Sequence, residues 1–143
     1  MTQKPEDDDF KVLTDVLSEA MINQLVKDFK ISEKMKIRTI KGQDFDPKEV
    51  HFKGVLPQNK DYMVLHFKLG ADEYRKSRHL KQFEKKMFQC KHNFCEKVFD
   101  NLYKLFDHIR AHANEKPFVC QFGCGRGFSQ IGNRNKHELY IHF

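Results

Sequence analysis

From Phe10 onward the apolar residues fall at Phe10, Leu13, Leu17, Met21 and Leu25, with Val12, Val16 and Val26 beside them. Spacing of three or four predicts an amphipathic helix ending near Phe29. Val12, Val16, Ile22 and Val26 lie off its main stripe. That is more apolar surface than a small unit buries, so the helix is read as a docking element. The period then changes. Met35, Ile37 and Thr39 alternate with Lys36 and Arg38 up to Gly42, and Tyr62 to Phe67 is rich in strand formers. Between them Asp46 ahead of Pro47 reads as the N-cap and first proline of a single helical turn. Residues 10–70 are thus expected to form a mixed, helix-rich α/β docking unit, or a set of arms that lean on another protein. Residues 71–87 contain no Gly or Pro, and Arg75, Lys76, Arg78, Lys81, Lys85 and Lys86 outweigh Asp72, Glu73 and Glu84. A basic helix is predicted there. Residues 1–9, with Glu6, Asp7, Asp8 and Asp9, read as a disordered acidic tail.

Composition narrows the class. The chain has 143 residues, 39% hydrophobic and 32% charged, with 26 Lys+Arg against 20 Asp+Glu and a net charge of +6. Length allows one ordinary domain or several small ones and excludes a large multidomain enzyme. No run approaches the roughly 18 apolar residues of a membrane span. The acidic start is unlike a signal or transit peptide. The expectation is a soluble, intracellular chain with no membrane partner, in which the 4 cysteines serve a metal rather than disulfides.

Cysteine and histidine spacing specifies the metal. Cys90, Cys95, His108 and His112 form C-x4-C-x12-H-x3-H, and Cys120, Cys124, His137 and His142 form C-x3-C-x12-H-x4-H. Two thiolates from a tight hairpin and two imidazoles about one helical turn apart converge tetrahedrally on Zn²⁺. Both units therefore fall in the C2H2 zinc-finger range, and two structural zinc ions are expected. Phe88, Phe99 and Leu105 stand two before the first cysteine, four after the second and three before the first histidine. Phe118 and Phe128 repeat the first two places.

In these residues the segment resembles the Krüppel-type zinc finger, and Ala113-Asn114-Glu115-Lys116-Pro117-Phe118 looks like that family's TGEKPF inter-finger linker. The resemblance divides the end of the chain into finger 1 (88–112), a linker (113–117) and finger 2 (118–143). It implies a small α+β fold: two tandem ββα fingers after the N-terminal unit. Finger 2 carries Arg134 where the family has a core leucine, and in this and its His-x4-His spacing it is similar to fingers of the Gli and Zic families. The Arg stem can cover a small core while its head reaches water.

Nothing in the sequence supplies catalysis. Four protein ligands close each zinc site, and no phosphate-binding Gly-rich loop, H-E-x-x-H or G-x-S-x-G motif occurs. His51, His66, His79 and His92 fall outside the ligand pattern and read as ordinary surface or half-buried histidines. A DNA-binding finger touches about three bases through helix positions −1, 3 and 6. Counting back from the first ligand histidine puts Gln130, Asn133 and Lys136 there in finger 2, and Asn101, Lys104 and Asp107 in finger 1. Gln and Asn suit adenine and Lys suits guanine, so finger 2 is expected to favour 5′-GAA-3′ or a near relative. Finger 1 is less typical: Asp107 repels phosphate, and Leu102 and Phe106 are apolar where solvent or phosphate is usual. Protein is the alternative ligand for finger 1.

Two function classes follow. The first is a DNA-binding subunit of a nuclear transcription or chromatin complex, with duplex DNA as ligand. The second is a zinc-dependent adaptor that holds proteins together, or contacts RNA, through its fingers and residues 10–70. Zinc binding and folding are expected to be coupled across 88–143.

Overall fold

The computed structural model describes residues 9–70, Arg75 and 84–143. The acidic tail, apart from Asp9, and residues 71–83 of the expected basic helix, apart from Arg75, lie outside the described residues. The fold is small α+β, with two sheets and three α-helices among the described residues.

A five-stranded antiparallel sheet runs in the order β1 (Lys11–Val12), β2 (Lys36–Lys41), β3 (Tyr62–Lys68), β4 (Glu84–Cys90) and β5 (Val98–Phe99). The alternation at Lys36 to Ile40 and the strand-forming run from Tyr62 become β2 and β3, paired with Ile37 opposite Phe67 and Thr39 opposite Leu65. Asp46 caps a 3₁₀ turn at Pro47–Val50, its side chain accepting from the Lys48 N–H.

The helix expected over 10–29 is shorter. Helix α1 spans Glu19–Phe29, capped by the Ser18 hydroxyl, which accepts from the Met21 N–H at 3.2 Å. Before it the chain forms the edge strand β1 and a 3₁₀ turn at Leu13–Asp15. Phe10 and Leu13 have helical spacing but serve opposite faces of the sheet. Phe10 lies edge-on to His66 at 5.1 Å, whereas Leu13 joins the core beneath α1. Ile22 is buried in that core and Val26 packs against it, so this apolar surface is used within the chain; Val12 and Val16 stay exposed.

Residues 84–87, expected to end the basic helix, belong to β4. Their partners decide this: Glu84 to Cys90 pair residue by residue with Lys68 to Tyr62. Met87 enters the sheet face under α1 while Phe88 and Cys90 enter the other. Alternation of side chains along a strand thus gives β3 and β4 two cores. One contains Ile22, Leu25, Ile37, Leu65, Phe67 and Met87. The other joins Phe45, Phe52, Tyr62, Val64 and Phe88 to Leu102, Leu105, Phe106 and Ile109 of helix α2 (Leu102–Ala113). Strands β4 and β5 with α2 are the ββα unit of finger 1, and its first strand is a central strand of the larger sheet. Finger 2 has its own two-stranded sheet, β6 (Phe118–Val119) with β7 (Gly127–Phe128), followed by helix α3 (Ile131–His142).

Candidate metal centres and nucleic-acid interface

The first centre is assembled from a strand, a knuckle and a helix. Cys90 ends β4. Its N–H donates to the Lys97 carbonyl at 2.9 Å, and the Cys95 N–H donates to His92 at 3.0 Å. Asn93, Phe94 and Glu96 all take positive φ, which turns the chain sharply enough to return Cys95 toward Cys90. On α2, His108 and His112 are one turn apart with their Nε2 atoms separated by 2.8 Å, and Cys95 Sγ lies 3.2 Å from His108 Nε2. The second centre repeats this with glycines: Gly123 and Gly125 have φ of 78° and 81° on either side of Cys124. Cys120 Sγ lies 3.3 Å from His142 Nε2, and Cys124 Sγ 3.3 Å from His137 Nε2.

In each group the four donor atoms lie within 4.8 Å of one another. A tetrahedral zinc with N and S ligands has donor-to-donor edges of about 3.3–3.8 Å, so both clusters are close to that size. The donor chemistry also fits. Burial, then the neighbouring His112, depresses the His108 pKa, which keeps the imidazole in the neutral form a metal requires. The Cys124 thiol is pulled down to about 6, first by the backbone N–H of Arg126 and then by His142 and His137. Burial pushes Cys90 up, so its ionisation depends on the cation. Two thiolates and two imidazoles in a closed tetrahedron define a structural zinc site, with one ion at each centre.

The two helices present different outer faces. Gln130, the residue ahead of α3, and Asn133 and Lys136 on it are all exposed, and the Asn133 amide donates to Gln130 Oε1 at 3.2 Å. Arg134 turns the other way, its side chain largely covered, with Nε 3.9 Å from Glu138 Oε1. Glu138 is buried and its other oxygen accepts from the Gln121 N–H at 2.7 Å. The position that resemblance assigned to a core leucine is thus filled by an arginine stem lying beside a buried carboxylate.

On α2 the expected contacts are engaged within the chain. Asn101 is the N-cap, accepting from the Lys104 N–H at 2.9 Å, and Lys104 pairs with Asp100 at 3.1 Å. Tyr103, Phe106, Asp107 and Arg110 form an i, i+3, i+4, i+7 stripe. Across it lies the segment Phe52–Leu56. The Phe52 ring sits 4.5 Å from Tyr103 and 4.9 Å, edge-on, from Phe106, and Tyr62 closes on Phe106 at 5.4 Å. Asp107, read as a charge that repels phosphate, pairs with Arg110 at 2.6 Å. Arg110 is only 4% exposed, and it also donates to the carbonyls of Val55 at 2.8 Å and Ser129 at 3.2 Å. Apolar Leu102 and Phe106 were the sequence signal that this face meets protein; Arg110 and Phe52 carried no local signal.

The fold and its two Cys2His2 centres define a C2H2 zinc-finger protein. The family model "Zinc finger, C2H2 type" matches residues 88–112. Among curated proteins the chain is similar to the C2H2 finger domain transcription factor USV101 of Cryptococcus neoformans, 40% identical over 58 residues, 40% of this chain and 9% of that protein. It is also similar to zinc finger protein ZIC 2-B of Xenopus laevis, 54% identical over 35 residues, 24% of this chain and 7% of that protein. A third relative is Nutrient and stress factor 1 of Saccharomyces cerevisiae, 35% identical over 63 residues, 43% of this chain and 16% of that protein. The chain spans less than a tenth of the length of the first two. No solved structure matches it.

Proposed function

We propose that this protein is a DNA-binding subunit of a nuclear transcription or chromatin complex, with finger 2 as the major-groove reader. The observation that carries this is the open face of α3, where Gln130, Asn133 and Lys136 stand exposed together. Their donors match base edges in the major groove, which an α-helix enters. The net charge of +6 favours a polyanion, and a relative named as a transcription factor supports the class. Nuclear location follows from the ligand. The role is non-catalytic, since each zinc has its full set of protein ligands.

Selection from random duplexes with the intact protein tests the reading. The expected result is enrichment of 5′-GAA-3′ or a near relative. Asn133→Ala should relax preference at the middle base by about tenfold, since a good base contact is worth roughly 1–3 kcal/mol. Recovery of no A-containing triplet would refute it. The second reading is a zinc-dependent adaptor for protein or RNA, working through the fingers and residues 10–70. It is favoured by the face of finger 1, which already serves as a protein-contact surface for Phe52. The adaptor reading predicts little affinity for any duplex at any salt concentration.

A further inference from the structure

Adjacent fingers in a tandem array follow the groove side by side, three base pairs each. With position 6 of the helix on the 5′ base, position −1 of finger 2, Gln130, meets the 3′ base of its triplet. The next base pairs on that side would belong to finger 1. In this chain position 6 of the finger 1 helix, Asp107, and the adjacent Tyr103 and Arg110 lie against another segment, while positions −1 and 3, Asn101 and Lys104, are engaged in the N-cap and in a pair with Asp100. The Phe52–Leu56 segment crosses that helix's outer stripe and reaches finger 2, so that Lys53, Gly54 and Val55 line one cleft together with Gln130 and Ile131.

This strap is held in place at several points. Phe52 is buried between Tyr103 and Phe106, and the Lys53 N–H donates to Tyr103 Oη at 3.2 Å. The Arg110 guanidinium binds Val55 of the strap, Asp107 of finger 1 and Ser129, the residue before Gln130, and so joins three segments. Beyond the strap, the Gln58 N–H donates to the carboxylate of Glu115 in the linker at 3.2 Å. Gly54 lets the strap lie flat, because a Cβ there would fall 2.8 Å from the Phe52 ring and 3.2 Å from that of Tyr103. The Lys53 side chain is exposed and makes no ion pair among the described residues.

We propose that the strap replaces finger 1 as finger 2's neighbour on DNA, and that Lys53 contacts a backbone phosphate on the 3′ side of the finger 2 triplet. This inference rests on finger 2 reading duplex DNA and adds which chemistry reads the flank: a sequence-independent cation in place of three base contacts. The preferred site is therefore one triplet bordered by bases of any identity. Phosphate contacts position the protein and carry no sequence information.

The test is binding of the intact, zinc-loaded protein and its Lys53→Ala variant to the selected duplex and to a scrambled one, over a range of salt. One phosphate contact contributes about 0.9 to the slope of log affinity against log salt. Lys53→Ala should flatten the slope by about that amount and weaken both duplexes equally, by about fivefold at 0.15 M salt. The preferred triplet should not change, and Lys53→Arg should restore the slope. Zinc content and thermal unfolding serve as the check on folding, because the side chain is exposed. An unchanged slope in Lys53→Ala, with triplet preference intact in the wild type, overturns this inference alone. So does a second enriched triplet that is lost with Asn101→Ala or Lys104→Ala. Absence of salt-dependent duplex binding by the wild type overturns the DNA-binding reading and this inference with it.

Discussion

Arg110 shows how much of this molecule depends on single side chains. Its planar guanidinium offers separate donors to Val55, Ser129 and Asp107 at once, with 4% of the residue exposed. Arg110→Ala leaves two carbonyls and a carboxylate without these donors. Each lost partner of a buried polar group costs about 1–3 kcal/mol, so a loss of roughly 2–4 kcal/mol is expected in denaturant unfolding. Arg110→Lys should recover little, because one ammonium does not reproduce the fork. Equal midpoints for wild type and Arg110→Ala would contradict the bridging role. Asp107 follows from the same geometry. From the sequence it is a repulsive charge whose removal raises DNA affinity, but in the structure its removal deprives a buried guanidinium of its counter-ion.

At the scale of elements, the two fingers are built differently although their ligand spacings are nearly alike. Finger 2 pairs two short strands only with each other, and Glu138 is the one buried residue of its helix. Finger 1 shares β4 with the five-stranded sheet, and its helix buries Leu102, Leu105, Phe106 and Ile109 against Phe52, Tyr62 and Val64. Coupling of folding to zinc, expected across 88–143, therefore divides between them. Finger 2 has little but its metal to hold it and should unfold fully on chelation. Finger 1 should keep β4 and most of α2. Hydrogen exchange with and without a strong chelator checks this: protection should vanish in 118–143 and persist at Val64, Phe88 and Leu105. Loss of protection in both fingers together would show that the shared sheet does not support finger 1.

For the molecule as a whole, the sheet carries a polar ladder that ties stability to pH. Arg38 and Lys86 flank His66 across β2, β3 and β4. Arg38 donates to His66 Nδ1 at 3.0 Å, so the neutral ring carries its proton on Nε2 and donates it to Glu84. Burial is the largest influence on His66 and holds its pKa below the ordinary value. Partial burial would raise Glu84, but hydrogen bonds from His66 and Lys86 keep it low. The depressed His66 pKa means that the unfolded chain binds more protons once pH falls below about 6.5. Its contribution is fully present above that value and is lost as pH falls toward the folded-state pKa. Glu84 acts in the same direction below its own unfolded pKa of about 4.3. At saturating zinc, unfolding measured from pH 7.5 to 5.5 should lose stability more steeply in wild type than in His66→Gln. Both proteins keep the same two zinc sites, so parallel curves would remove His66 from the account.

What the sequence determined by itself is what one stretch of chain encodes in its own spacing. Cys90, Cys95, His108 and His112, and their counterparts in finger 2, come together because a tight turn and a helical pitch set their separations. The alternation of β2, the strand-forming run of β3 and the Asp46–Pro47 cap are local in the same way. Tertiary structure decided which face each apolar residue serves. Phe10 and Leu13 have helical spacing, yet a sheet edge sends them to opposite sides. Residues 84–87 are basic and helix-forming in composition, yet β3 pairs them as a strand whose two faces meet different cores. Phe52 and Arg110 are unremarkable in their local context, and they meet Phe106 and Val55 across about fifty residues of chain. Periodicity fixes distances along one element. The choice of partner across a sheet or between fingers depends on how much surface every other segment has left to bury, which only the assembled fold determines.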